Sequence, residues 1–174
     1  MSQWNIDPAH STIGFKIKHL VVSTVKGHFN EFSGSAITDN NDFENAKIEF
    51  STKTSSISTN NETRDNHLRS ADLFDSANHP TMSFVSKSFK KSSGNKYLIE
   101  GDLTMRGVTK TVTLEAYFDG IVMGLYGKRV AAFAVTGTLN RQDYGVSWNA
   151  VMEAGGLVVA NDVTLDINVE LIEG

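Results

Sequence analysis

Apolar residues stand at every second position through most of this chain, and that pattern constrains its fold more than any other feature. Over residues 162–171, polar and apolar residues alternate without a break. Because successive side chains of a β-strand point to opposite faces, this segment predicts a strand with one buried face and one wet face. Similar alternation predicts strands over residues 13–19, 47–53, 82–87, 98–105 and 108–118, with a tight hairpin turn at Arg106-Gly107.

Residues 130–139 also predict a strand, but both of its faces are apolar. A strand of this kind is covered on both sides. Its alanines at positions 131, 132 and 134 leave space on either face. That space suits a barrel with a hollow interior, and it equally suits two elements that pack closely together.

Residues 60–77 interrupt the alternation, since they are polar and lack a period of two. We predict a helix here, with Thr59 or Asn60 as its N-cap and His79-Pro80 as its end. Many short strands with one helical insertion predict an all-β fold. The expected architecture is a single closed antiparallel barrel over residues 1–174, because closure removes exposed sheet edges.

Composition excludes several classes of protein. A domain of 174 residues can bury a sizeable core without the support of disulfide bonds or a structural metal. The chain contains no cysteine. The net charge of −4 argues against nucleic acid as a partner. The longest fully apolar run, residues 130–135, is far shorter than the roughly 20 residues of a membrane-spanning helix. With no signal-peptide pattern at the start, we expect a soluble, cytoplasmic protein, or a periplasmic one if the chain is trimmed from a longer precursor.

The motifs of common enzyme classes are missing from the sequence. It has no dinucleotide-binding glycine fingerprint, no Walker lysine loop and no Gly-x-Ser-x-Gly elbow. Asp7, His10 and Ser11 have the residue types of a catalytic triad, but they lie too close along the chain, and a local turn explains them better. The chain has five histidines, and they lack the spacing of metal ligands. We therefore predict neither a catalytic nor a metal site. The histidines are His10, His19, His28, His67 and His79.

Several polar residues are candidates for ligand contacts. His19 continues the inward face of the first predicted strand, either as a satisfied core histidine or as a contact at a barrel mouth. On the predicted helix, Arg64 and His67 either orient a charged head group or belong to a solvated face. Arg141 lies in a polar segment that is most economically a structural loop, in which it bonds Asp143 or the backbone.

Lysines crowd another predicted hairpin, whose turn contains Ser-Gly-Asn. A solvated turn is the simpler interpretation of these residues. The alternative is a transient contact with an anionic membrane surface while a ligand is exchanged. The lysines are Lys87, Lys90, Lys91 and Lys96.

An ordered set of short motifs, nearly from end to end, resembles the YceI family. The motifs occupy residues 4–11, 15–20, 27–29, 56–59, 64–70, 72–75, 79–80, 101–110 and 140–145. The resemblance implies an extended antiparallel, lipocalin-like barrel of eight strands, usually paired as a homodimer. It also implies that the apolar interior holds a polyisoprenoid, of the isoprenoid quinone or polyprenyl phosphate type, or another long-chain amphiphile.

The segment 119–128 departs from the family pattern because it lacks the expected proline-containing loop. Residues 121–127 are unusually apolar for a loop. An exposed apolar segment of this kind marks an interaction site. We expect it to form either the lip of the cavity or a dimer contact.

We therefore predict a carrier that stores or transports a hydrophobic ligand without a cofactor or covalent chemistry. The polar contacts to a head group are predicted at Arg64, His67 and Arg141. One alternative is a hydrolase or isomerase, with His19 or His67 as general base beside an Asp. The other is an interaction module whose barrel is filled by its own side chains. The predicted cavity contacts are Phe15, Ile17, His19, Phe29, Phe50, Met82, Phe84, Leu103, Met105, Leu114, Ala132 and Phe133.

Overall fold

Antiparallel strands make up most of the computed structural model, which describes residues 1–39, 42–153 and 155–174. One α-helix, α1, spans Glu62–Arg69. The strands are β1 (Ser2–Ile6), β2 (Thr12–His19), β3 (Ser23–Phe29), β4 (Phe32–Asp39), β5 (Asp42–Lys53), β6 (Ile57–Ser58), β7 (Thr81–Ser93), β8 (Lys96–Met105), β9 (Val108–Met123), β10 (Arg129–Asn140) and β11 (Val159–Glu173). Single 3₁₀ turns lie at Pro8–His10, Thr54–Ser56, Leu125–Gly127 and Arg141–Tyr144.

The strands close into the predicted barrel. Around the barrel the order is β1-β4-β5-β7-β8-β9-β10-β11, and β11 pairs back onto β1, which gives a ring of eight strands. The long β11 also pairs with β2, so that β1 and β2 lie one after the other along the same edge of β11. The hairpin partner of β2 is β3, which leads directly into β4 and so returns the chain to the ring.

All seven predicted strands are confirmed. So is the hairpin at Arg106-Gly107, where both residues have positive φ as a tight two-residue turn requires. The strands β1, β3, β4 and β6 were not predicted. For β4 the reason is physical: the partly or fully buried positions Gly34, Ala36 and Thr38 are small or polar, while Ile37 is exposed. Hydrophobic alternation therefore runs against the true orientation of this strand.

The predicted helix over residues 60–77 is too long, and its predicted cap is wrong. The helix begins after Asn61, whose side chain accepts a hydrogen bond from the Arg64 backbone. It ends at Ser70, whose hydroxyl donates to the carbonyl oxygen of His67 at 2.6 Å. Turns follow, and they carry Leu73 down into the buried core. Among the described residues, no helix is long and apolar enough to cross a membrane.

Six aromatic side chains fill one end of the barrel, and we call them the aromatic plug. Ring centroids lie 4.9 Å apart for Phe43 and Phe133 and 5.0 Å apart for Phe118 and Phe133. Contacts of this geometry add to the stabilisation from burial. Within the described residues, the plug therefore fills this end of the barrel. Its members are Trp4, Phe43, Phe89, Tyr97, Phe118 and Phe133.

Candidate functional site

A cavity of about 740 Å³ occupies the barrel from its middle to the end opposite the aromatic plug. Apolar side chains of β2, β3, β5, β7, β8, β9, β10 and β11 form its wall. Its mouth lies between α1, the β2–β3 hairpin and residues 146–153 and 155–158, which we call the mouth segment. The volume falls in the range of ordinary small-molecule sites. A barrel filled by its own side chains is therefore not what this chain forms.

The structure brings most of the predicted cavity residues together. On β2, the residues Phe15, Ile17 and His19 share the inward face, as their alternation predicts. All three predicted head-group residues lie at the mouth end: Arg64, His67 and Arg141. The other predicted residues that line the cavity are Phe29, Phe50, Met82, Phe84, Leu103, Met105 and Leu114.

Two of the predicted cavity contacts are wrong, because Ala132 and Phe133 are not among the residues that line the cavity. They are neighbours on one strand, so their side chains point to opposite faces. Phe133 points inward but belongs to the aromatic plug below the cavity. Ala132 lies on the outer face, between the fully buried Ala131 and Phe133. The two apolar faces of β10 concealed this difference in the sequence.

Strand glycines explain why large wall residues leave room for a cavity. A Cβ atom at Gly27 would overlap the ring of Phe15, its partner across the β2–β3 pair. A Cβ atom at Gly101 would likewise overlap the ring of Phe84. The far end of each ring therefore occupies space that a side chain at the glycine would fill. Glycine inside a strand pattern is the sequence signal for such a close approach.

Sequence reasoning missed the mouth segment, which contributes Val146, Trp148 and Val158 to the cavity. This segment has no period of two or of 3.6, so pattern analysis does not detect it. Two side chains hold it in place, those of Arg141 and Asn149. The polar motif at residues 140–145 was the only signal of the Arg141 anchor in the sequence.

Arg141 is buried, and its guanidinium donates to backbone carbonyls at both ends of the mouth segment. Nη1 donates to the carbonyl oxygens of Val146 at 2.6 Å and Trp148 at 3.0 Å. Nε donates to the carbonyl oxygen of Ala160 at 2.8 Å. Loss of solvent around the charge lowers the pKa of Arg141 below its ordinary value. The group bonds the backbone and not Asp143, so its main role is to fix the mouth.

Arg64 lies at the start of α1 and faces the same mouth. Its Nε donates to the Thr59 hydroxyl at 2.7 Å, and its Nη2 donates to the Thr59 carbonyl at 2.9 Å. The Thr59 hydroxyl and amide in turn donate to the buried carboxylate of Asp65, at 2.5 and 2.8 Å. These bonds hold Arg64 from one side, and its Nη1 makes no bond within the described residues.

His67 joins α1 to the mouth segment. Its ring stands edge-on to the ring of Trp148, with centroids 4.5 Å apart and planes at 90°. Its Nε2 lies 2.9 Å from a carboxylate oxygen of Asp72. The helix and the mouth segment therefore meet across the opening of the cavity.

The charges that line the cavity are of one sign. Among the described residues, its lining includes Lys18, Arg64 and Arg141, together with two histidines, and includes neither Asp nor Glu. The whole chain nevertheless carries more acidic than basic residues. At the mouth an anionic group would therefore meet the guanidinium of Arg64, whereas His67 is already paired with the carboxylate of Asp72.

Two predicted surface features lie at the plug end of the barrel, opposite the mouth. The lysine-rich β7–β8 hairpin leaves the barrel beside Phe89 and Tyr97 of the plug. Residues 121–127 form the end of β9 and a 3₁₀ turn near the same end, where Met123 pairs with Arg129. These residues are not the lip of the cavity. A dimer contact there stays a prediction.

Asp7 and His10 form the local turn that the sequence predicts. The Asp7 carboxylate accepts from the Ala9 amide at 3.0 Å, and its second oxygen lies 2.7 Å from His10 Nδ1. Glu170 lies close enough to complete a group of three possible metal ligands on the barrel surface. The pair is far from the cavity, and its main consequence is on pKa: this hydrogen bond lowers the pKa of Asp7 and raises that of His10.

Comparison with known proteins gives the same fold. The model of the YceI-like domain matches residues 4–171. The UPF0312 protein SAS2572 of Staphylococcus aureus is 39% identical over 171 residues, which is 98% of this chain and 97% of that protein. A Staphylococcus epidermidis relative, the UPF0312 protein SERP2314, is 40% identical over the same share.

Solved structures agree with these sequence matches. The YCEI protein of Campylobacter jejuni superposes with a TM-score of 0.78 at 33% identity over 90% of each chain. BcnA of Burkholderia cenocepacia has a TM-score of 0.82 at 21% identity, over 95% of this chain and 98% of that one. A polyisoprenoid binding domain from Saccharophagus degradans has a TM-score of 0.70 at 16% identity over 98% of both chains.

Proposed function

The chain belongs to the family of YceI-like domains, and from that premise we propose that it binds a long-chain amphiphile of the polyisoprenoid type. The tail occupies the apolar cavity and an anionic head group, a phosphate or a carboxylate, lies at the mouth. The observation that carries this proposal is the division of the cavity into an apolar wall and a cationic opening. A related fold in Saccharophagus degradans is described as a polyisoprenoid binding domain, which is consistent with such a tail.

Burial of the tail supplies most of the affinity. Each methylene group that leaves water contributes about 0.8 kcal/mol. The wall offers aliphatic and aromatic surface over the whole depth of the cavity, for example at Leu103, Leu114 and Ile167. The aromatic plug limits the depth that a chain can reach. Retention therefore grows with chain length up to that limit.

The head group is held by Arg64 and His67 at the mouth. Arg64 is oriented by Thr59 and has a free Nη1 among the described residues, so it can donate to an anionic oxygen. His67 lies on the same helix, one turn further on. A neutral head group would use only the hydrogen bonds and not the charge. We therefore expect a phosphate or carboxylate amphiphile to bind more tightly than the alcohol of the same chain.

Native mass spectrometry of freshly purified protein, followed by organic extraction and mass analysis, tests the proposal first. We expect a stoichiometric hydrophobic adduct or, if the cargo is lost, saturable binding of an added polyprenyl phosphate.

A matched pair of variants on β11 locates the site. Leu165→Trp fills the cavity and abolishes binding, whereas Thr164→Trp on the outer face of the same strand leaves it unchanged. Equal binding by both variants would exclude the cavity as the site.

The head group is tested by titrating polyprenyl phosphate and the prenol of the same length. Arg64→Gln should weaken binding of the phosphate about tenfold and leave the prenol unaffected, because a charge-assisted hydrogen bond contributes about 1.5 kcal/mol. Lys91→Gln makes the same change of charge at the far end of the barrel and serves as the control. A preference for the prenol would rule out the anionic head group while leaving the tail site intact.

A hydrolase or isomerase is the second candidate, because Asp72 lies 2.9 Å from His67 beside the cavity. That pair has the arrangement of a general base with an orienting carboxylate. Incubation with long-chain esters, with His67→Ala as the comparison, tests for activity. Turnover that disappears in this variant while ligand binding persists would favour the enzyme.

A further inference from the structure

The β2–β3 hairpin ends in three apolar residues that project into water. Leu20 and Val21 are 42% and 68% exposed, and Val22 is 84% exposed. On the adjoining mouth segment, Val151 is 79% exposed, and its bridge partner Leu157 is 46% exposed. Exposed apolar residues that are grouped in this way mark an interaction surface.

The two parts of this surface are joined. The Leu20 amide donates to the carbonyl oxygen of Val158 at 2.8 Å, next to Leu157. Val158 itself lines the cavity, as does His19 at the end of β2. We call these five exposed residues, Leu20, Val21, Val22, Val151 and Leu157, the mouth rim. The mouth rim therefore adjoins the residues that border the opening of the cavity.

The backbone of the hairpin tip is strained. Leu20 has φ 53° and Val21 has φ 68°, both in the left-handed region. The amide of Val22 donates to the carbonyl oxygen of Leu20 at 2.8 Å, which closes a three-residue turn around Val21. Glycine or asparagine adopts positive φ at little cost, whereas a β-branched residue there is an outlier. Strain of this kind persists where function requires it, and here it keeps an apolar side chain in water.

Two exposed lysines stand behind the tip, Lys18 on β2 and Lys26 on β3. An apolar tip followed by lysines matches the layers of an anionic membrane, because the tip enters the acyl boundary while the ammonium groups stay among the phosphates. A second protein would also cover the apolar residues. A bilayer, unlike a second protein, also explains why the mouth rim lies beside the opening of an apolar cavity.

We infer that the mouth rim docks on the surface of a lipid bilayer and presents the open end of the cavity to it. This inference goes beyond the proposed function, since it concerns the surface on which the protein docks and not the ligand that it binds. Docking brings the opening into continuity with the apolar layer. A hydrophobic chain then moves between the membrane and the barrel without crossing bulk water.

Co-sedimentation with vesicles of phosphatidylcholine and phosphatidylglycerol tests the inference. Val21→Gly removes the apolar side chain and also relieves the strained backbone. We expect its partition onto vesicles to fall at least fivefold while its unfolding temperature stays equal or rises. Val22→Ser should reduce partition similarly. Val85→Ser, at an exposed valine on the barrel wall, is the control and should bind like the parent protein.

A tryptophan placed at the tip reports its environment directly. The added indole of Val22→Trp should shift its emission to shorter wavelength when vesicles are added, and that of Val85→Trp should not. Unchanged partition of Val21→Gly and Val22→Ser, or no shift for Val22→Trp, would overturn the inference. So would a rim that, without vesicles, pairs two copies of the chain and loses this pairing in Val21→Gly.

The test also separates docking from ligand binding. Leu165→Trp blocks the cavity but leaves the mouth rim intact, so this variant should still bind vesicles. If it binds vesicles and no ligand, the two proposals stand separately. If the parent protein binds ligand but not vesicles, only the docking surface is wrong.

Discussion

The ring of His67 stands at 90° to the ring of Trp148, with centroids 4.5 Å apart, and this contact is where α1 meets the mouth segment. His67 belongs to the helix, and Trp148 is held through its carbonyl oxygen by Arg141. The two sides of the opening are thus linked by one aromatic contact. Loss of this contact would therefore widen the mouth.

Trp148→Ala should therefore speed ligand release. An aromatic pair contributes about 0.5 to 1.5 kcal/mol, which corresponds to about 2- to 12-fold in rate. Stopped-flow measurement of the release of a fluorescent polyene fatty acid checks this. Glu62→Gln, an exposed change on the same helix, is the control. Release at the parental rate from Trp148→Ala would show that this contact does not limit opening.

Gly27→Ala should shrink the cavity from within. The added methyl group would overlap the ring of Phe15, and the cavity that this ring lines offers it space to move into. Overpacking of this kind costs about 1 to 3 kcal/mol, less where a side chain can turn into free space. We expect weaker binding of long ligands with a small loss of stability, measured by titration and thermal unfolding. Thr24→Ala on the same strand should change neither.

Arg141→Ala should destabilise the protein, because several backbone carbonyls lose their donor together. A buried acceptor without a partner costs about 1 to 3 kcal/mol, so we expect a total of about 2 to 5 kcal/mol. Denaturant unfolding measures this loss. Arg141→Lys keeps the charge but has no planar fork, and should recover only part of it. Full recovery by lysine would mean that the charge matters and the carbonyl contacts do not.

The pair Asp7 and His10 gives stability a defined dependence on pH. The pKa of His10 is raised from 6.5, so its contribution is complete below that pH and is lost as pH rises through the raised value. The pKa of Asp7 is lowered from 3.8, so its contribution is lost as pH falls through the lowered value. The unfolding temperature of His10→Asn should vary less than that of the parent between about pH 6 and 8. Equal slopes would contradict this assignment.

The apolar hairpin at residues 121–127 gives a prediction about assembly. Val122, Met123, Leu125 and Tyr126 are all largely exposed at the closed end of the barrel. We expect the chain to form a homodimer through this hairpin. Leu125→Ser combined with Tyr126→Ser should then shift sedimentation from dimer to monomer. A parent protein that sediments as a monomer at micromolar concentration would contradict this expectation.

Alternation along the sequence was enough to predict the long strands and the cavity face of β2. In β11, Val163, Leu165 and Ile167 all line the cavity, as their spacing requires. A period of two fixes the face of a strand, but not the height of a residue along the barrel axis. Phe133 was therefore predicted as a cavity residue, although it belongs to the aromatic plug. Height depends on register, which is set by pairing between distant segments.

The mouth was harder to predict because it depends on contacts between parts of the chain that share no period. Arg141 finds its acceptors on residues up to Ala160, and only the folded chain brings them together. Likewise, the helix was predicted too long because Ser70 resembles any polar helical residue in the sequence. Its hydroxyl bond to the His67 carbonyl ends the helix there.

The aromatic plug has a consequence for traffic through the barrel. Within the described residues, Phe43, Phe118 and Phe133 pack across the far end, so the proposed ligand would enter and leave through the mouth. The donor and the acceptor of such a ligand would then contact the same face of the protein in turn. A second ligand could not displace the first from the plug end. For the proposed amphiphile, the plug and not the wall therefore sets the longest chain that the barrel accommodates.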